Sequence, residues 1–362
     1  MSTNSTSTQI RLDNPPKPRI MTDIIKQNIG IDISKKDFAV CFSQLRLDGK
    51  TVIVGSRKFN NTFKGISKFI DWVEKKRVSA ISVRFTMEAT GIYYEELAYF
   101  LKDNDCYVSV VLPNKTKAFM QSYNIKTKND SVDAKLLGQM GLERDLKEWT
   151  PLSPNMRTLK KLCRERVMLL DEKTAVCNRL HAEQSSHQPN CDIVERYQKR
   201  IEFIQQQVKD VESQVRSIIK ADEVLNKKVE LICTIKGVGI TTAATIIAET
   251  DGFVLIKNQA QLVSYAGYDV VQNQSGSSIN GKTKISKKGN KYIRRALHFP
   301  ALGAVRREPM FEAIFKRIFE RTRIKMKGYV AVQRKLLVLI YAIFKNDLVF
   351  DPEFHLKQVT NR

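Results

Sequence analysis

Between Asn28 and Phe59 the apolar residues gather in three short β-rich runs, IGIDIS, FAVCFSQL and TVIVGSRKF, separated only by turn-like polar residues. No gap is long enough for a helix, so the pattern predicts an antiparallel meander of three strands. An amphipathic stretch over Phe63 to Lys75 follows, then a strand, ISVRFTME, that ends at Glu88. Beyond it the pattern predicts a helix over Tyr93 to Lys102, a strand over Tyr107 to Leu112 and a helix over Val132 to Met140. The order β-β-β-α-β-α-β-α defines an α/β domain with a mixed sheet over residues 28–150. Pro151 and Pro154 bracket a predicted linker just after Trp149.

Residues 156–180 read as a helix, with a break over residues 185–190. Tyr197, Ile201, Ile204, Val208, Val211, Val215 and Ile218 then recur at alternating spacings of four and three, a heptad seam. From Tyr197 to Ile218 this gives a rod roughly 33 Å long. A seam does not name its partner: it suits a hairpin folding back on residues 156–180, or self-association as a dimer or tetramer. Residues 151–228 therefore form a helical coiled-coil region. Residues 229–350 read as mainly α-helical, with Gly237-Val238-Gly239 between two helix-compatible apolar segments. Those glycines make either an ordinary tight turn or a helix-hairpin-helix-like unit whose N–H groups face a phosphate. Residues 1–27, with Pro15, Pro16 and Pro18 and no continuous apolar stretch, predict a flexible extension, not an export signal. Residues 351–362 are read as a tail.

Charge sharpens this picture. Among 362 residues, 61 Lys and Arg oppose 38 Asp and Glu, a net charge of +23, so the first expected partner is a polyanion. The excess is concentrated: from Gly276 to Lys345 there are 18 Lys or Arg and three acids. Aromatic residues such as Tyr292, Phe315 and Tyr329 interleave with these cations, which predicts helices with one wet, basic, phosphate-binding face. The longest apolar run, Leu336 to Phe344, is far short of the about 20 residues of a membrane-spanning helix, so no membrane partner and a cytoplasmic location are expected. Six scattered cysteines with no C-x-x-C pair, and only four histidines, support neither a disulfide framework nor a zinc knuckle.

Four carboxylates are candidates for chemistry. Asp32 interrupts the apolar strand IGIDI, where a charge is costly unless paired or metal-bound. Glu88 ends a strand, and Asp130 and Asp133 sit three residues apart at a helix start, on one face. Each has a plainer alternative: Asp32 in a turn with Ser34 and Lys35, Glu88 as an exposed strand end, Asp130 as a helix N-cap. Together they can converge at one sheet edge, where two Mg²⁺ ions roughly 3.5–4 Å apart would relieve their repulsion and clamp the oxygens of a phosphodiester.

The segments IGIDISKKDFAV, TMEATGIYYEELAYFL and KTKNDSVDAKLLGQMG resemble the N-terminal domain of the DEDD insertion-sequence transposases, the insertion-sequence one-ten family, with the Piv-type DNA invertases as relatives. TIKGVGITTAATIIAE, LVSYAGYDVVQNQSGSS and KISKKGNKYIRRAL resemble that family's second domain. The resemblance implies a RuvC-like, RNase H-type fold whose acidic tetrad is Asp32, Glu88, Asp130 and Asp133, and a mainly α-helical transposase domain with Ser275 as covalent nucleophile. It also implies double-stranded donor and target DNA, a noncoding guide RNA, and action beside the bacterial nucleoid. Locally, Ser275, Ser277 and Ser278 read as a polar turn, since a serine hydroxyl is weak without a base or metal, and it is the resemblance that assigns Ser275 the nucleophile's role. Docked into the acidic cluster it would complete a composite site. Lys282, Lys284, Lys287, Lys288, Lys291, Arg294 and Arg295 are then expected along the DNA backbone.

Three functions fit these residues. A Mg²⁺-dependent recombinase that cuts and rejoins through a phosphoserine is favoured by the quartet together with Ser275. A RuvC-like nuclease or Holliday-junction resolvase would use water and leave no protein on DNA. A non-catalytic nucleic-acid-binding module would tolerate Asp32→Ala and Glu88→Ala.

Overall fold

The computed structural model describes residues 23–89, 91–123, 129–254, 256–271, 274–275, 279–280 and 284–351, with residues 274–275 and 279–280 described by backbone alone. The chain divides into two compact units, Met1–Pro151 and Leu152–Arg362.

In the first unit, β1 (Ile24–Ile33), β2 (Asp37–Arg46) and β3 (Thr51–Asn60) form the antiparallel meander that the apolar runs predict. β4 (Val83–Glu88) pairs in parallel with β1, and β5 (Tyr107–Val111) in parallel with β4, giving a mixed sheet of order β3-β2-β1-β4-β5. Parallel neighbours need crossovers, and α1 (Phe63–Glu74) and α2 (Glu95–Asp103) lie in those connections. Thr62 caps α1 by accepting from the Gly65 N–H. Both helices bury their apolar sides, Ile66, Phe69, Leu97 and Leu101, with the sheet residues Ile29, Ile31, Phe38 and Phe85.

Two helices follow β5: α3 (Pro113–Gln121) and α4 (Asp130–Glu143). α3 has no counterpart in the sequence reading. Its run PNKTKAFMQ carries too few apolar positions for a helical period, and the helix is instead started by Pro113 at its first turn. α4 covers the sheet face opposite α1, where Ala134 packs with Ala39 and Cys41.

In the second unit, α5 (Pro154–Gln184) begins where a linker is predicted. Ser153 caps it by accepting from the Met156 N–H, and Pro154 is its first residue, a position where a missing N–H costs nothing. α6 (Cys191–Ala221) folds back along α5, with ion pairs Arg166–Glu212 and Arg200–Glu172 at 2.6 Å. The heptad seam thus has a partner in its own chain, and Ile204, Val211 and Val215 are buried.

α7 (Glu223–Cys233), α8 (Ile240–Thr250) and α9 (Gln259–Ala266) come next, followed by the two-residue strands β6 (Val270–Val271), β7 (Gln274–Ser275), β8 (Ile279–Asn280) and β9 (Lys284–Ile285). β6 pairs with β9 and β7 with β8, a small antiparallel hairpin that the polar sequence did not announce. α10 (Lys291–Ala296), α11 (His298–Arg307), α12 (Pro309–Thr322) and α13 (Lys325–Asn346) complete the helical unit. Its core joins Ile232, Ile246, Leu262, Ile293, Phe311 and Leu336. All six cysteines are free thiols. Among the described residues no helix is long and apolar enough to cross a membrane.

Candidate active site

The sheet register decides where the acids of the first unit lie. β1 and β4 run parallel with Ile31 opposite Met87, so the next step sets Asp32 and Glu88 at the C-terminal ends of adjacent strands. Side chains alternate along a strand, so Asn28, Gly30 and Asp32 share one face of β1, as Thr86 and Glu88 share one face of β4. That face is the one beneath α4. Asn28 Nδ2 donates to Gly138 O at 3.0 Å, and Thr86 Oγ1 donates to Asn28 Oδ1 at 3.0 Å.

Gly30 fixes the approach of the helix. A Cβ there would stand 2.0 Å from Gly138 N and 2.1 Å from Ala134 O, so only glycine lets α4 lie this close. Gly141 would likewise meet Asn28 and Thr86 if it had a Cβ. Since Gly138 lies over Gly30 and Gly141 over Asn28, α4 runs opposite to β1. Its N-terminus, carrying Asp130 and Asp133, therefore points toward the strand ends that carry Asp32 and Glu88. Asn129, not Asp130, is the N-cap, its side chain accepting from the Val132 N–H at 2.9 Å. Asp130 and Asp133 occupy the first turn.

Two residues that the sequence did not single out contact these acids. Lys58 on β3 lies across the sheet from Asp32 through Ala39, and its Nζ bridges Asp130 Oδ2 at 3.1 Å and Asp37 Oδ1 at 3.2 Å. Hydrogen bonds to Asp130, then to Asp37, hold the Lys58 pKa above the ordinary lysine value. Thr116 on α3, itself buried, donates its hydroxyl to Glu88 Oε2. An open groove of about 460 Å³ runs alongside, lined by Ala39, Ser56, Lys58, Asn129, Asp130 and Ser131.

The donors are all carboxylate oxygens, the chemistry that a hard divalent cation takes. Among the described residues, however, no three acidic, histidine or cysteine side chains surround one point at metal-binding spacing. Topology brings the four acids to one end of one sheet face; this conformation does not close them around an ion, and Asp130 is held by Lys58.

In the second unit, Ser275 lies on β7 opposite Ile279. Lys282 and residues 276–278 lie outside the described residues. The hairpin's two legs are pinned at their base: Ser286 Oγ donates to Asp269 Oδ1 at 2.6 Å, the Lys287 N–H to Gly267 O at 3.1 Å and the Asn290 N–H to Tyr265 O at 2.8 Å. Gly267 adopts φ +73°, and a Cβ there would press on Arg294 and Gly289.

This base is anchored to a buried carboxylate. Glu249 of α8 accepts a bidentate pair from Arg164 of α5 at 2.6 and 2.9 Å, and a bond from Asn290 Nδ2 at 2.7 Å. Its side chain is 0% exposed, so the guanidinium compensates a full desolvation. Arg164 also stacks over the Tyr292 ring at 4.6 Å.

Lys284, Lys287, Lys288 and Lys291 are exposed. The two arginines are engaged internally, Arg294 with Ala266 O at 2.8 Å and Arg295 with both Asp171 oxygens at 2.5 and 2.6 Å. Gly237 adopts φ +96° and packs on α11, where a Cβ would approach Ala304 N to 3.1 Å. Gly239 caps α8 and has open space around it.

Comparison with known proteins matches a DEDD, IS110-type transposase model to residues 29–189 and a transposase model of the IS116/IS110/IS902 family to residues 229–316. Pilin gene-inverting proteins of Moraxella bovis and Moraxella lacunata are each 28% identical over 332 residues, covering 91% of this chain and 99% of theirs. An uncharacterised protein of insertion element IS110 from Streptomyces coelicolor is 21% identical over 41% of this chain and 35% of its own. Among solved structures, an Aquifex aeolicus member of the Ppx/GppA family aligns over 88% of this chain and 90% of its own, with 11% identity and a TM-score of 0.21.

Proposed function

The chain belongs to the IS110 family of transposases, enzymes acting on DNA, and from that premise we propose that it is a Mg²⁺-dependent recombinase that cuts and rejoins strands through Ser275. In this reading the first unit is a RuvC-like, RNase H-type domain. The strand order β3-β2-β1-β4-β5, antiparallel then parallel, supports that assignment. The observation that carries the proposal furthest is the fixing of α4 by Gly30, which directs Asp130 and Asp133 toward the strand ends bearing Asp32 and Glu88.

Two magnesium ions held by these carboxylates would acidify the attacking hydroxyl and neutralise charge on the phosphate. The chain's own groups do the rest. Asp130 leaves Lys58 to join the other acids, and Thr116 keeps Glu88 oriented. Ser275 Oγ attacks the scissile phosphorus in line and loses its proton; the new O–P ester forms as the bond to the leaving strand oxygen breaks, and that oxygen is protonated. Because one phosphodiester is exchanged for another, rejoining needs no ATP. Lys284, Lys287, Lys288 and Lys291 hold the DNA backbone, while Arg294 and Arg295 fix the hairpin base and α5. The Gly237–Gly239 turn adds backbone N–H donors at the start of α8. A noncoding guide RNA pairs with donor and target DNA, and the enzyme works as an oligomer. The match to gene-inverting proteins over 99% of their length favours strand exchange over simple cutting.

The test is strand exchange on cognate DNA with guide RNA and Mg²⁺. Asp32→Asn, Glu88→Gln and Ser275→Ala are each expected to abolish exchange with duplex binding retained. Ser275→Ala that still cuts DNA, leaving free ends, would replace the serine by water and make the protein a nuclease.

A further inference from the structure

Besides the lysines that follow β8, a second cluster of cations with no acidic partner among the described residues lies at the turn between α12 and α13. Arg321, Arg323, Lys325 and Lys327 fall within seven residues and all are exposed. No ion pair joins any of them to an acid among the described residues, in contrast to Arg295 with Asp171 and Lys316 with Glu312. Ile324 and Met326 stand between them, 47% and 52% exposed.

The turn is rigidly presented. Phe315 stacks on Phe319 with ring centroids 5.9 Å apart and packs on Tyr329 at 4.6 Å. Gly328 lets α13 close on α12, since a Cβ there would meet the Phe315 ring at 2.6 Å. Arg323 ends α12 with φ 56°, its N–H donating to Phe319 O at 2.7 Å. A backbone held this way does not have to be ordered when the turn binds, which leaves only the ordering of the long side chains to be offset by their contacts.

We propose that the α12–α13 turn is a second duplex-DNA contact, in which Arg321, Arg323, Lys325 and Lys327 grip phosphates while Ile324 and Met326 press into the minor groove. This rests on the reading of DNA as substrate. Four cations around two exposed aliphatic side chains match a groove bounded by two phosphate rows, where apolar wedges unstack base steps and bend the duplex.

The experiment measures binding of the full chain to a 5′-fluorescent duplex of arbitrary sequence across a salt series. Arg321→Gln/Arg323→Gln/Lys325→Gln/Lys327→Gln is expected to flatten the slope of log K against log salt by about three to four, with an unchanged melting temperature. Ile324→Ser/Met326→Ser is expected to weaken binding about tenfold at unchanged slope, and to reduce the bend read by end-to-end energy transfer. A quadruple variant with the wild-type slope overturns the proposal, as does one that loses only single-stranded RNA or anionic vesicles. An equal slope change from Lys64→Gln/Lys68→Gln on α1 also overturns it, because place would then be irrelevant. If the wild-type chain binds no duplex at all, the DNA reading itself fails, a result distinct from all of these.

Discussion

Replacing Gly30 by alanine tests how the fold builds the site. The new Cβ would lie 2.0 Å from Gly138 N and 2.1 Å from Ala134 O, against 3.4 Å for ordinary contact. Both neighbours are backbone atoms of α4, so no side chain can turn aside. The helix must lift by roughly 1 Å or more from β1 or the strand must buckle; overpacking of this kind costs about 1–3 kcal/mol. For a unit the size of Met1–Pro151 that corresponds to a melting temperature lower by about 2–12 °C. The lifted helix carries Asp130 and Asp133 away from Asp32 and Glu88, and a misplacement near 1 Å costs about 100-fold in rate. Thermal unfolding by circular dichroism and single-turnover strand cleavage read the two effects separately. Gly30→Ala with wild-type stability would show that α4 does not press on β1. A stability loss with an unchanged cleavage rate would show that the position of α4 is irrelevant to the chemistry.

Thr116→Val removes the hydroxyl held by Glu88; a hydrogen bond to a charged group contributes about 1.5–3 kcal/mol, so cleavage is expected to slow at least tenfold, with recovery in Thr116→Ser, and wild-type kinetics would remove Thr116 from the site. Arg164→Ala removes the bidentate partner of the buried Glu249 carboxylate, leaving it Asn290 at 2.7 Å and Lys160 Nζ at 3.8 Å, and is expected to destabilise the second unit in urea by up to about 3–5 kcal/mol; Arg164→Met/Glu249→Gln should recover much of this, and a neutral single variant would refute the anchor. Burial pushes the Cys163 thiol up to about 11. Its folded value lies above the unfolded one, so the stability it contributes is complete below about pH 9 and is lost as pH climbs from there through 11. At pH 8 a thiol reagent should label exposed Cys191 and spare Cys163; equal labelling in the native protein would contradict the burial.

The local parts of this structure are legible from residue order. The meander, the strand that ends at Glu88 and the seam over Tyr197 to Ile218 follow from periodicity, because one face of each element must be buried. Asp32 shows itself as a charge between Ile31 and Ile33, which point to the opposite face. Pairings between distant segments left no such trace. Lys58 meets Asp130 across 72 positions, Thr116 meets Glu88 across 28, and Arg164 meets Glu249 across 85. A lone Lys, Thr or Arg in a polar context looks like any solvated side chain until the sheet register and helix packing select its neighbour. Pro154 shows the opposite difficulty: the residue read as a linker boundary is the best possible first residue of a helix. The partner of the seam is set by α5 lying beside α6, a packing that the spacing of Tyr197 to Ile218 does not encode.

The central claim is that DNA is broken by the alcohol of Ser275. The most direct measurement incubates the full chain with guide RNA, Mg²⁺ and a suicide DNA substrate whose cleaved flank diffuses away, digests the product and maps the attachment point by mass spectrometry. The account predicts a nucleotide phosphate on the peptide containing Ser275, absent from Ser275→Ala and from Asp32→Asn. Cleaved DNA with free 3′-hydroxyl and 5′-phosphate ends and no peptide attached, or an adduct on another residue, would contradict it.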